Sequence, residues 1–167
     1  ERWLAGGADA RLPMLLPLTV RGLTLKNRIL VSPMATYSAV DGVPQDFHLV
    51  HLGARALGGA AMVFVEMTSP TPGGRITPGC PGLWNTAQQQ AFARIVDFVH
   101  AGSSAAIGLQ LGHSGPKGST QRGWEAVDAP LPAGNWPLLA ASAVAYGPDN
   151  QVPQAMTRAD MDALRDA

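Results

Sequence analysis

Three short, nearly continuous aliphatic runs constrain this chain more than any other feature: Arg28–Ser32 (RILVS), Ala60–Val65 (AAMVFV) and Ala105–Leu111 (AAIGLQL). None of them alternates apolar with polar residues. A strand that is apolar on both sides must be covered on both sides, as the strands of parallel sheets are. Parallel neighbours cannot be joined by a tight turn and need a crossover, usually a helix. The intervening segments supply it. Asp46–Leu57 sets Phe47, Leu49, Val50, Leu52, Ala54 and Leu57 at helical spacing, with Asp46 near the N-cap and Gly58-Gly59 as the stop. Thr86–His100 does the same through Phe92, Ile95, Val96 and Val99. Ahead of them, two strand-like stretches of Leu16–Lys26 flank Arg21-Gly22 and predict a hairpin. Near the end, Thr157 stands three residues before Asp160 and predicts a capped helix start. The apolar runs begin about 32 and about 45 residues apart, which suits a (β/α)8 barrel with enlarged loops or a doubly wound sheet. Three strands cannot close a barrel; if this is one, these are about its first three βα units, and the loop residues must decide between the two folds.

Composition removes several classes of function. Of 167 residues, 12 are basic and 12 acidic, giving a net charge of zero. That argues against a nucleic-acid footprint and against a polybasic membrane patch. No apolar run approaches the roughly 18 residues of a membrane span. One cysteine, Cys80, makes no intrachain disulfide and no zinc cluster. The N-terminus lacks a basic-then-apolar leader pattern, so a cytoplasmic protein is expected. Residues 1–15 read as a linker from an upstream region, and 16–167 as the folded part.

Chemistry-bearing residues follow each apolar run. The first leads into Ser32-Pro33-Met34-Ala35-Thr36-Tyr37, the second into Glu66-Met67-Thr68 and then Gly74-Arg75-Ile76-Thr77, the third through Gln110 into His113 and Lys117. In either fold, ligands bind at the carboxyl ends of the strands. Gln110 offers a donor and an acceptor, suited to the edge of a heterocycle with adjacent C=O and N groups. Lys117 would supply charge to an anionic ring or substrate, and Tyr37 would bond a substrate carbonyl. By residue type alone, each has a plainer reading as well. Gln110 is a satisfied strand amide, His113 a loop hydrogen-bonder, and Lys117 a solvated lysine. His48 and His51 are packing or surface residues, Trp84, Trp124 and Trp136 loop anchors, and Cys80 an inert thiol. A dinucleotide-binding Gly-x-Gly-x-x-Gly turn, a Walker loop, a Gly-x-Ser-x-Gly elbow and a His-Glu-x-x-His metal motif are all absent.

Taken together, Leu25–Tyr37 (LKNRILVSPMATY), Leu57–Val65 (LGGAAMVFV), Gly74–Thr77 (GRIT), Gly82–Trp84 (GLW) and Leu109–Lys117 (LQLGHSGPK) resemble the N-terminal part of the Old Yellow Enzyme family, in order and spacing. The likeness is nearest to the reductase half of bifunctional salicylyl-CoA 5-hydroxylase-type and 2-aminobenzoyl-CoA monooxygenase/reductase-type proteins. In those, an FAD monooxygenase half comes first. The resemblance implies a (β/α)8 TIM barrel with an N-terminal β-hairpin lid, FMN at the strand ends, and NAD(P)H as reductant. Hydride then passes to a small-molecule acceptor, an activated alkene or an aryl-CoA derivative. It implies cofactor contacts from Ser32, Pro33, Met34, Ala35, Met67 and Gln110, catalytic positions for Tyr37 and Lys117, and no metal. A homo-oligomer is compatible with it.

Three residues depart from the family pattern. Ala35 stands where relatives carry Cys or Thr, Met67 where Ala is common, and Pro116 where Arg is usual. The family's substrate-binding His pair, proton-donor Tyr and phosphate-binding Arg have no counterpart in these 167 residues, so this stretch alone is expected to be inactive. Two other readings remain: a degenerate barrel that docks a partner monooxygenase, and a sugar-phosphate or aldolase barrel. The second lacks a lysine within the strand runs.

Overall fold

A computed structural model describes residues 12–167. Residues 1–11, most of the expected linker, lie outside the described part. Pro13–Leu15 belong to the fold: they form a 3-10 turn, and the Arg28 N–H donates to the Met14 carbonyl at 2.8 Å.

Strands β1 (Leu18–Val20) and β2 (Leu23–Leu25) make the expected antiparallel hairpin, with Arg21 in the left-handed region at φ 52°. Buried Leu25 and Asn27 fix it to the body. The Asn27 amide donates to the Gly59 carbonyl at 2.9 Å and accepts from the Ile29 N–H at 2.9 Å. Both contacts lie ahead of the strands that follow, so the hairpin sits at the amino ends of the sheet.

The sheet itself is β3 (Leu30–Val31), β4 (Met62–Thr68) and β5 (Ala106–Leu111), all parallel and in sequential order. Helix α1 (Asp46–Leu57) joins the first pair and α2 (Thr86–Gly102) the second. Leu52 and Ala56 of α1, Val63 and Val65 of β4, and Phe92, Ile95 and Val99 of α2 share one core. Both helices therefore cover the same face. Sequential strands with all crossovers on one face are the arrangement of a barrel wall; a doubly wound sheet reverses order and covers both faces.

The bounds differ from expectation only at the ends. The first strand is short because Ser32-Pro33 turns away from the ladder. Helix α1 has the expected bounds, with Gln45 as its N-cap, and the His48 ring accepts the Gln45 N–H at 3.0 Å. Asn85 caps α2 through the Gln88 N–H.

The two long loops are tied to each other. Thr120 N–H donates to the Ile76 carbonyl at 3.0 Å, Ser114 N–H to that of Gly74 at 2.9 Å, and the Ser114 hydroxyl to that of Arg75 at 2.9 Å. Arg75 is clasped between Trp84 and Trp136, its guanidinium 5.4 Å and 5.0 Å from the two ring centres. These two tryptophans are loop anchors as expected. Trp124, on the short helix α3 (Gly123–Ala126), is instead 66% exposed. The loop also contains the two-residue parallel pair β6 (Leu139–Ala140) and β7 (Gln154–Ala155). Helix α4 (Arg158–Asp166) follows, with reciprocal bonds between Thr157 and Asp160 at its start.

Candidate functional site

Because β3, β4 and β5 lie side by side in parallel, their carboxyl ends open on one edge. Ser32, Met34 and Ala35 after β3 are exposed there, and Pro33 is half-buried. Gln110, near the end of β5, is exposed too. Among the described residues, neither the Gln110 carboxamide nor the backbone N–H groups of Ser32, Met34 and Ala35 are bonded to another protein group. Being exposed, these groups are open to solvent or to a ligand. A row of unpaired donors and acceptors suits a planar heterocycle. Met67 is half-buried and packs on Gly112, where an added Cβ would come 2.7 Å from the Met67 Cγ.

Tyr37 ends the first loop in the left-handed region, φ 50°, where a bulky side chain is strained. The turn is held by Glu66, at the end of β4 and only 4% exposed. Its carboxylate accepts the Thr36 N–H at 2.8 Å, the Thr36 hydroxyl, and the Tyr37 N–H at 3.4 Å. His48 Nε2 approaches Glu66 Oε1 at 3.3 Å, off the line of its N–H. Burial pushes the Glu66 carboxyl upward, but the His48 and Thr36 contacts outweigh it and hold it below the usual carboxylate value. His48 is thus neither generic packing nor surface.

Burial raises the Tyr37 phenol, the neighbouring Cys80 adds to this, and Lys117 offsets part of it. The Tyr37 ring lies 6.4 Å from that of Trp124. Lys117 is not a free solvated lysine. It pairs with Asp128 at 2.8 Å and sits 5.2 Å over the Tyr146 ring. Tyr146 donates to the same carboxylate at 3.2 Å. The bond to Asp128 raises Lys117, and the bond to Lys117 lowers Asp128. Pro116 is accommodated in a 3-10 turn, Gly115–Lys117, and His113 accepts the Gly115 N–H at 3.1 Å as a loop-stabilising residue. Cys80 is buried, and burial raises its thiol, so it is inert.

Sequence reasoning named Thr36, Glu66 and His48 without giving them these roles, and missed Asp128 and Tyr146. One signal was available for Glu66: a carboxylate directly after a fully apolar run is buried, and a buried charge needs partners. A cavity of about 300 Å³ between His113, Leu139, Met156 and Leu164 includes none of the expected cofactor or catalytic residues. No cluster of metal-ligating side chains occurs among the described residues.

The described residues thus form a parallel α/β unit with both crossover helices on one face and an exposed polar carboxyl edge. Comparison with known proteins narrows this. The NADH:flavin oxidoreductase / NADH oxidase family model matches residues 13–162, and the chain belongs to that family. An NADH:flavin oxidoreductase of Gibberella zeae is 40% identical over 154 residues, 89% of this chain and 37% of that protein. An NADPH dehydrogenase of Geobacillus thermodenitrificans is 36% identical over 148 residues, 87% of this chain and 39% of that protein. The structure of morphinone reductase superposes with a TM-score of 0.75 at 23% identity, covering 92% of this chain and 42% of that one. The chain thus spans about two fifths of the length of the relatives it matches. The family is one of flavin oxidoreductases, with FMN as its cofactor.

Proposed function

We propose that this chain forms the first three βα units, with the hairpin lid, of a (β/α)8 barrel that binds FMN and oxidises NAD(P)H. The observation that carries the reading is the uncommitted polar edge of Ser32–Ala35 and Gln110, in a chain of a flavin oxidoreductase family. Bound there, FMN would supply the two-electron chemistry while the protein supplies binding and orientation. The backbone of Ser32, Pro33, Met34 and Ala35 would lie along the ring system, with the Met67 backbone at its pyrimidine side. Gln110 would donate to and accept from the polar edge of that ring. Ala35 brings no polar side-chain atom to the ring. Tyr37, kept protonated at neutral pH, would donate to the carbonyl of an activated alkene. Lys117 would meet an anionic group of the substrate in exchange for Asp128.

We further infer an aryl-CoA-derived acceptor and fusion to an FAD monooxygenase, on the strength of the motif resemblance alone. Release of cofactor from the full-length protein by denaturation tests the FMN reading and the fusion. About one FMN per chain is expected, and FAD beside it if the fusion is present. Gln110→Leu should weaken FMN binding about tenfold, the order of one lost bond to a polar ring edge. A full-length protein that binds no FMN, even when FMN is supplied, refutes the reading.

A further inference from the structure

Tyr37 is given its position by a residue that bonds its backbone and not its phenol. We propose that Glu66 is the positioning residue for Tyr37: its buried carboxylate gathers the Thr36 N–H, the Thr36 hydroxyl and the Tyr37 N–H, and so holds Tyr37 in its left-handed turn. A tyrosine at φ 50° relaxes to the extended region unless its surroundings over-determine it. Glu66 provides that constraint from a strand, the most rigid element nearby. Its two oxygens take separate tasks. Oε2 accepts both backbone N–H groups, at 2.8 and 3.4 Å, and Oε1 accepts the hydroxyl and faces His48 Nε2.

His48 limits what can stand at the Glu66 position. Its Nδ1 accepts the Gln45 N–H, so in the neutral ring the proton sits on Nε2, which lies 3.3 Å from Glu66 Oε1 though off the line of the N–H. Only an acceptor suits that point. A carboxylate meets the requirement, whereas a carboxamide that keeps its oxygen on the backbone N–H groups turns its NH2 into the His48 N–H. On the other side of the turn, Gly79 lies directly against the Tyr37 carbonyl, and its own carbonyl accepts the Ala39 N–H at 3.0 Å. The turn is thus gripped from both faces. The phenol is delivered next to Trp124 and near Lys117, where the proposed acceptor enters.

The kinetic part of this inference rests on the reading of Tyr37 as facing the acceptor; the positional part does not. The test uses the full-length protein labelled with 3-fluorotyrosine, the Tyr37 resonance being identified by its loss in Tyr37→Phe. Glu66→Gln should shift or split that resonance and lower kcat/KM for 2-cyclohexenone about tenfold, as expected for loss of charge-assisted bonding. In the Tyr37→Phe background the same change should cost less than about twofold, because a residue that acts through Tyr37 has nothing left to position. An unmoved resonance, or an equal loss in both backgrounds, overturns the proposal. Should Glu66→Gln not fold, Thr36→Val removes only the hydroxyl bond. It should move the Tyr37 resonance, and an unchanged one overturns the proposal. If the protein reduces no enone at all, the functional reading fails while the fluorine spectrum still decides the positioning role.

Discussion

Gly79 is where a single methyl group should do the most damage. A Cβ built there would overlap the Tyr37 carbonyl oxygen and come 2.6 Å from its carbon and 2.9 Å from Arg122 Nε. The arginine is the end of a flexible side chain and can swing away, but the carbonyl is backbone in a strained turn. Relief therefore requires the Tyr37 turn to move, or Gly79 to retreat and break the 3.0 Å bond from Ala39. Overpacking of this kind costs about 1–3 kcal/mol, and the lost backbone bond about 1 kcal/mol more. Gly79→Ala should then lower stability by about 2–4 kcal/mol. Gly22 is the control: it has an ordinary φ and nothing within 4 Å of an added Cβ. Gly22→Ala should be neutral or stabilise by about 0.4–1 kcal/mol through the unfolded chain. Urea denaturation of the full-length protein and both variants measures the difference. A Gly79→Ala midpoint matching wild type would mean that the turn has slack, and the account of a tightly gripped Tyr37 would be wrong.

Three further outcomes are expected. Ile95→Ala, in the core shared by α1, β4 and α2 and only 2% exposed, should cost about 2–5 kcal/mol by denaturant titration. Arg75→Ala should cost about 1–3 kcal/mol, since two aromatic contacts to a half-buried guanidinium are lost; it should also shift tryptophan emission, and an unchanged spectrum would speak against the clasp. Glu66 has a folded-state pKa below its unfolded value, so its contribution is fully present above the unfolded carboxylate range and fades as pH falls through the folded value. Stability measured from about pH 7 down to about pH 3 should therefore drop less steeply in Glu66→Gln than in wild type.

Much of the fold was legible because it is written in local patterns. Helix α1 begins and ends where the spacing of Phe47 to Leu57 and the Gly58-Gly59 pair put it. The reciprocal Thr157–Asp160 cap forms from four adjacent residues. The parallel order followed from runs apolar on both sides. What stayed hidden depends on partners far apart in the chain. Thr36 and Glu66 are 30 residues apart, and nothing in either segment announces the other. Lys117 reads as solvated until the loop returns Asp128 and Tyr146 to it. The pair β6 and β7, two residues each, is too short to carry a period. Trp124 was misjudged because residue type alone does not distinguish an anchor from an aromatic left on the surface.

The strand order has a bearing on how this molecule comes into being. The shared core, with the partly buried side chains packed on it, runs from Val31 to Leu109 and takes its members from consecutive elements. Each strand docks on the one made just before it, and each crossover helix closes over a strand pair already in place. Within the three-stranded sheet each pairing joins consecutive strands, so loop-closure entropy stays small at each of these steps. During synthesis the wall can therefore consolidate from its amino end as it leaves the ribosome.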